Sequence, residues 1–135
     1  VAPDDAANVL FTGTISPNTV GKLMKQADLL LSTRIKGTNT PLKIYSYLAS
    51  GVPLVATAIP AHAQEFGGNE AFLAAPDPEG IAEAILTGLD HPELARDKAQ
   101  NARHLYETRY GTDVYRKKMV EALSVLHQRP ADTLT

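Results

Sequence analysis

The sequence predicts an α/β domain built on a parallel sheet, and three observations carry that prediction. Short apolar runs that do not alternate recur at residues 9–12, 28–32, 53–57 and 71–75. Runs of this length and pattern suit strands covered on both faces. Between and after them lie stretches whose apolar residues fall on one helical face, so strands and helices alternate as a parallel sheet requires. The length agrees, since 135 residues make one domain able to bury most of its apolar surface.

Each element can be justified in turn. Residues 1–8, VAPDDAAN, read as a loose lead-in to a first strand at 9–12, which Gly13 ends. Ser16, Pro17 and Asn18 form a turn before a helix at 19–26 that carries Val20, Leu23 and Met24. Residues 28–32 give a second strand, too short for a helix. Thr40 is placed as the N-cap of the next helix, Pro41 as its first residue and Gly51 as its left-handed stop. Leu42, Ile44, Tyr45, Leu48 and Ala49 share the arc that should pack on the sheet, which leaves Lys43, Ser46, Tyr47 and Ser50 open. A third strand follows at 53–57, then an irregular stretch at 58–70 with room for one short helical turn. After a fourth strand at 71–75, Asp77 caps a helix with the stripe Ile81, Ala84, Ile85, Gly88 and Leu89. Two further helices are expected at 92–110 and 112–127, with a frayed tail from Arg129.

Composition narrows the function. Hydrophobic residues at 44% and charged residues at 21% are ordinary for a soluble globular protein. A net charge of −2 argues against a general nucleic-acid binder. No apolar run approaches the ~20 residues that cross a bilayer. Without cysteine there is no thiolate metal site and no disulfide framework, which fits a reducing compartment. The four histidines form no spaced pair, so no metal is expected. The chain opens on Val1 with no leader pattern and reads as a fragment of something longer.

One stretch gathers the polar chemistry. Residues 32–51, STRIKGTNTPLKIYSYLASG, set a strand end, a basic polar loop and a helix start side by side. Ligands of α/β proteins collect at such junctions. Lys and Arg are absent between Lys43 and Arg96, so Arg34, Lys36 and Lys43 form a local positive cluster. Amides near residues 38–42, with Arg34, Lys36 or Lys43, could hold a phosphate or diphosphate, while Asn39 and Ser46 could bond hydroxyls. His62, just after the third strand, is a secondary candidate on the phosphate side. No hydrolase elbow, phosphate-binding P-loop or dinucleotide fingerprint is present, and no residue is assigned a catalytic role.

These residues carry a family resemblance. GTNTPLKIYSYLASG (residues 37–51) followed by PLVAT (53–57) resembles the donor-binding segment of group 1 (family 4) glycosyltransferases. The flanks VLFTG (9–13), ADLLLS (27–32) and FLAAPD (72–77) are similar to neighbouring segments of that family, so the likeness runs over residues 8–126. It implies a single domain, 1–135, that is a truncated C-terminal donor-binding domain of a two-domain GT-B enzyme. It also implies a Rossmann-like parallel sheet of about four strands, flanked by helices, with two additional C-terminal helices.

Such enzymes transfer a hexosyl or pentosyl group from a nucleotide-diphosphate sugar to an acceptor, with retention and without a metal or other cofactor. By the match, Thr38, Asn39, Thr40 and Pro41 would lie at the donor sugar and distal phosphate, with Lys43 beside them. Thr38 and Ser46 stand where the family has two glutamates, and Ser46 offers one group where a carboxylate would take two ribose hydroxyls. An absent N-terminal acceptor domain, polysaccharide biosynthesis, and a cytoplasmic site at the inner face of a membrane follow from the same resemblance. The isolated chain is expected to be inactive.

The resemblance also bears on the sheet. The family's domain begins with two further strand–helix units, so the 9–12 strand is expected to pair with the 28–32 strand in a shortened sheet. Two other readings stay open. One is a non-catalytic binding module of response-regulator or flavodoxin type, although Asp4 and Asp5 precede the first strand and no Lys follows the later ones. The other is a GT-B-shaped sugar-nucleotide epimerase.

Overall fold

Residues 6–128 are described by the structure, a computed structural model. After a 3-10 turn at Ala6–Asn8 come α1 (Pro17–Gln26), β1 (Leu30–Ser32), α2 (Lys43–Ala49), β2 (Leu54–Thr57) and α3 (Pro60–Ala63). They are followed by β3 (Phe72–Ala74), α4 (Pro78–Asp90), α5 (Pro92–Arg109) and α6 (Thr112–His127). The strands form one parallel sheet in the order β1-β2-β3, with Leu31 opposite Val55 and Ala56 opposite Leu73. The expected lead-in over residues 1–5 and the tail from Arg129 lie outside the described residues.

Both faces of the sheet are covered, as its unalternating runs require. On one face Leu30, Leu54 and Ala56 pack with Ile44 and Leu48 of α2 and Ala102 of α5, and Met24 and Ala27 close the cluster. On the other, Val55, Phe72 and Ala74 pack with Ala84 of α4 and Ala95 of α5. β2, in the middle, is buried at every position. Burying Leu54 and Val55 contributes on the order of 2 kcal/mol each before the entropy cost of folding.

Helix starts follow local chemistry. Ser16 caps α1 by accepting from Thr19 N at 3.3 Å, and Pro17 takes the first turn, two residues earlier than expected. Asp77 caps α4 by accepting from Gly80 N at 2.6 Å. Gly51, at φ +76°, ends α2 in the left-handed conformation expected of it.

Three expectations are corrected. The sheet has three strands among the described residues, and residues 9–12 are not a fourth. Leu10 and Phe11 are each 85% exposed, and β1 pairs with β2 alone. A strand of four residues needs a neighbour for its backbone groups, and nothing in the described chain supplies one there.

The second correction is to Thr40 and Pro41, which do not open α2. The helix starts at Lys43 after an αR Leu42 with no side-chain cap, because the Thr40 hydroxyl is engaged elsewhere. The third is to the packing arc of α2. Leu42 lies outside the helix and is 84% exposed, while Tyr47, placed on the open face, packs against the core.

Candidate functional site

The polar loop at residues 33–42 leaves the carboxyl end of β1, where α/β folds bind ligands. It is held from within and from below. Gly37, at φ +142°, allows a turn that brings the Arg34 side chain over it, and a Cβ there would sit 3.3 Å from Arg34 Cδ. Arg34 Nη1 then donates to the Asn39 carbonyl at 2.8 Å. The remaining bonds come from α3 and the two residues after it. Ala61 N donates to Gly37 O at 3.2 Å, and Gln64 Nε2 donates to Thr38 O at 3.0 Å. Thr40 Oγ1 lies 3.0 Å from Ala61 O and 3.1 Å from Glu65 Oε1, and it accepts from Gln64 Nε2 at 2.5 Å.

Beneath this loop sits His62, which is fully buried. Its Nδ1 lies 2.7 Å from the Thr57 carbonyl oxygen, a pure acceptor, so Nδ1 carries the proton. Nε2 lies 2.8 Å from Ser32 Oγ and, in the neutral ring, accepts from that hydroxyl. The Thr57 hydroxyl in turn donates to Arg34 O. One imidazole thus ties the ends of β1 and β2 to the first turn of the loop, and it stacks on Phe66 with ring centroids 5.8 Å apart. The structure places His62, a secondary candidate of the sequence, as a buried support beneath the loop.

The remaining candidates are at the surface. Thr38, Asn39, Lys36, Lys43 and Ser46 are exposed, and Thr40 and Pro41 are half-buried. Lys43 lies over the Tyr47 ring, 5.7 Å from its centroid, a weak cation–π contact at the surface of α2. Ser46 opens onto a cleft of about 920 Å³ between α1, α2 and α5, lined with Lys25, Tyr45, Arg103 and Tyr106 among others. The cleft combines two cations, aromatic walls and a free hydroxyl, a lining suited to a polar, ring-containing ligand. No cluster of three or more His, Asp or Glu placed to hold a metal occurs among the described residues.

Sequence reasoning missed the carboxylate that anchors the loop. Glu65 accepts from Thr40 at 3.1 Å, from Tyr45 OH at 3.4 Å and from Tyr110 OH, and its own carbonyl accepts from Arg109 Nη1 at 3.2 Å. Burial, then the Glu65 charge and hydrogen bond, push the Tyr45 phenol above its ordinary value. At Tyr110 the hydrogen bond to Glu65 leads, followed by burial and the charges of Glu65 and Tyr45; together they outweigh Arg109 and raise that phenol too. The only signal in the sequence was the position of Glu65 in the irregular stretch that leads back to the sheet.

A parallel sheet with a fastened polar loop at its strand ends and a mixed polar cleft beside it defines an α/β domain of the Rossmann-like kind, whose ligands gather at strand ends. Comparison with known proteins identifies the family. The model of the family "Glycosyl transferases group 1" matches residues 2–91, and the chain belongs to it. A sequence search among curated proteins finds no match.

Solved structures of the Rossmann-like GT-B fold are similar in shape. Sucrose-phosphate synthase from Thermosynechococcus elongatus superposes with a TM-score of 0.78 at 20% identity, over 92% of this chain and 31% of its own. Anabaena HepE in complex with UDP-glucose gives 0.68 at 23% identity, over 77% of this chain and 29% of its own. A glycosyltransferase from Rickettsia africae gives 0.70 at 19% identity, over 80% and 30%. The chain thus spans about 30% of the length of these structures.

Proposed function

We propose that this chain is the donor-binding part of a larger glycosyltransferase and receives a nucleotide-diphosphate sugar at the 33–42 loop and the cleft beside α2. Family membership supports the reaction class, and the HepE complex with UDP-glucose supports the class of donor. The observation that carries the reading is the juxtaposition along α2. The exposed loop residues Thr38 and Asn39 precede the helix, and Ser46 faces the cleft from it.

In this reading Thr38, Asn39, Thr40 and Pro41 meet the sugar and distal phosphate. Arg34, Lys36 and Lys43 supply positive charge, and Ser46 meets the ribose. Among the described residues Arg34 keeps part of its guanidinium free, since a single N–H bonds Asn39 O in the loop. Transfer with retention, without a metal, requires an acceptor domain from the parent protein, so the chain alone does not turn over. An acceptor carried at the inner face of a membrane fits the same reading. No helix among the described residues is long and apolar enough to cross a membrane.

The test is titration of the chain with UDP-, GDP- and ADP-sugars, followed by amide NMR. Shifts at residues 38–46 are expected at millimolar ligand, and their absence removes the donor-site assignment. Steady sugar transfer by the chain alone would overturn its dependence on a second domain. Ser46→Glu, which supplies a carboxylate for two ribose hydroxyls, should tighten binding roughly tenfold.

A further inference from the structure

We infer that Glu65 and Tyr110 are positioning residues that set the conformation of the 38–41 loop from the α5–α6 corner. The inference rests on the donor-site reading for its functional meaning, and on the following geometry for its substance. Thr40 is the point where the loop is gripped. Its single hydroxyl proton faces two acceptors, Ala61 O at 3.0 Å and Glu65 Oε1 at 3.1 Å. Glu65 is therefore part of what holds the loop down.

What holds Glu65 comes from elsewhere in the chain. Oε2 accepts from the Tyr110 hydroxyl, and Arg109 Nη1 grips the Glu65 backbone carbonyl at 3.2 Å. Tyr110 is itself fixed. Its ring packs edge-on against Tyr45 at 5.0 Å and lies 6.2 Å from Tyr106, and its N–H bonds Tyr106 O at 2.7 Å.

The next residue leaves the corner little freedom. A Cβ on Gly111 would fall 2.7 Å from the Glu107 carbonyl oxygen in the last turn of α5, so any larger residue there would force the turn between α5 and α6 to shift. The chain Gly111–Tyr110–Glu65–Thr40 is a continuous set of contacts between a helix corner and a loop 70 residues earlier. Every member except Glu65 is a neutral group, and the carboxylate is the acceptor on which the hydroxyls converge.

Tyr110→Phe tests this, because it keeps the ring and removes one hydroxyl. The readout needs no nucleotide: hydrogen exchange at the Ala61 amide, which donates to Gly37 O, and ¹⁵N relaxation of Thr38 and Asn39. Exchange at Ala61 should quicken roughly tenfold, as expected for losing a hydrogen bond to a charged group. The β2 amides of Val55 and Ala56 should be unaffected. Glu65→Gln, which keeps the side-chain shape, should loosen the same amides if Tyr110→Phe fails to fold.

Uniform change at Ala61, Val55 and Ala56, or no change in the loop, would overturn the inference, since Tyr110 would then serve general stability only. A second arm adds UDP-glucose to both proteins. Weaker loop shifts in the variant than in the native chain support the positioning role. A loosened loop with no shifts even in the native chain leaves the positioning role standing and removes the donor-site reading.

Discussion

The segment at residues 9–12 and the loop at residues 33–42 reverse the usual relation between composition and order. The first is apolar, yet Leu10 and Phe11 are each 85% exposed and its backbone joins no sheet among the described residues. The second is polar and basic, yet it is tied by Arg34, Ala61, Gln64 and Glu65. The difference lies in partners. A strand-forming run without an adjacent strand has nowhere to place its N–H and C=O groups, whatever its side chains prefer. A loop whose carbonyls and hydroxyls find donors and acceptors on one short helix is held without burying apolar surface. In this fold α3 and the two residues after it act as that bracket, with His62 fixing it to the strand ends.

The contrast can be broken hardest at His62. Replacement by Ala leaves the Ser32 hydroxyl and the Thr57 carbonyl without the imidazole and opens a cavity beside Phe66. A cost of about 2–4 kcal/mol is expected from lost volume and unsatisfied polar groups together. Urea unfolding followed by circular dichroism measures it. A loss below about 0.5 kcal/mol, the range of a surface substitution, would mean that the strand-end network does not hold this region.

These two regions also mark what could be read from the sequence. The strands β1, β2 and β3 were legible because unbroken apolar runs of that length have few other uses. The helix α1 is legible through Val20, Leu23 and Met24 although its start at Pro17 reads as a turn, α4 and α5 through Pro78 with Asp77 and through Pro92, and α6 falls on its expected limits. Residues 9–12 carry the same local pattern as the true strands, and only a non-local fact, the missing neighbour, distinguishes them. Thr40 and Pro41 present a sound local cap pattern, but groups 21 to 25 residues further on capture the Thr40 hydroxyl. Position after β2 singled out His62 as relevant. Its burial depended on Ser32 and Thr57 both facing it, which spacing does not reveal. Glu65 was one acid among several until the fold brought Tyr45 and Tyr110 to it.

A smaller effect sharpens the bracket through pH. Both phenols are raised in the folded state from the ordinary value of 10.0. A group whose folded pKa exceeds its unfolded one contributes stability that is fully present below the unfolded value and is lost as pH rises through the folded one. Stability should therefore hold up to about pH 10 and then decline as Tyr45 and Tyr110 ionise beside Glu65. Absorbance at 295 nm follows the ionisation directly. In Glu65→Gln the carboxylate's contribution disappears, so part of the late absorbance step should move to lower pH. Superimposable titrations of the two proteins would show that Glu65 does not govern these phenols.

The smallest effect belongs to the uncovered segment. Replacing Leu10 and Phe11 together with Ser removes two large apolar side chains that make no buried contact in the described chain. Stability to urea should stay within about 0.5 kcal/mol of the native chain, the range of exposed positions. Binding of a hydrophobic dye should fall, because two of the most exposed apolar side chains are gone. The pair of measurements separates two physical states of the segment. If it is exposed, dye binding drops while the unfolding midpoint stays. If it packs on the open edge of β1 in solution, the midpoint falls and the unfolding free energy drops by more than about 1 kcal/mol, the scale of losing buried leucine and phenylalanine contacts. The contrast between an apolar segment without partners and a polar loop with several would then fail on its apolar side.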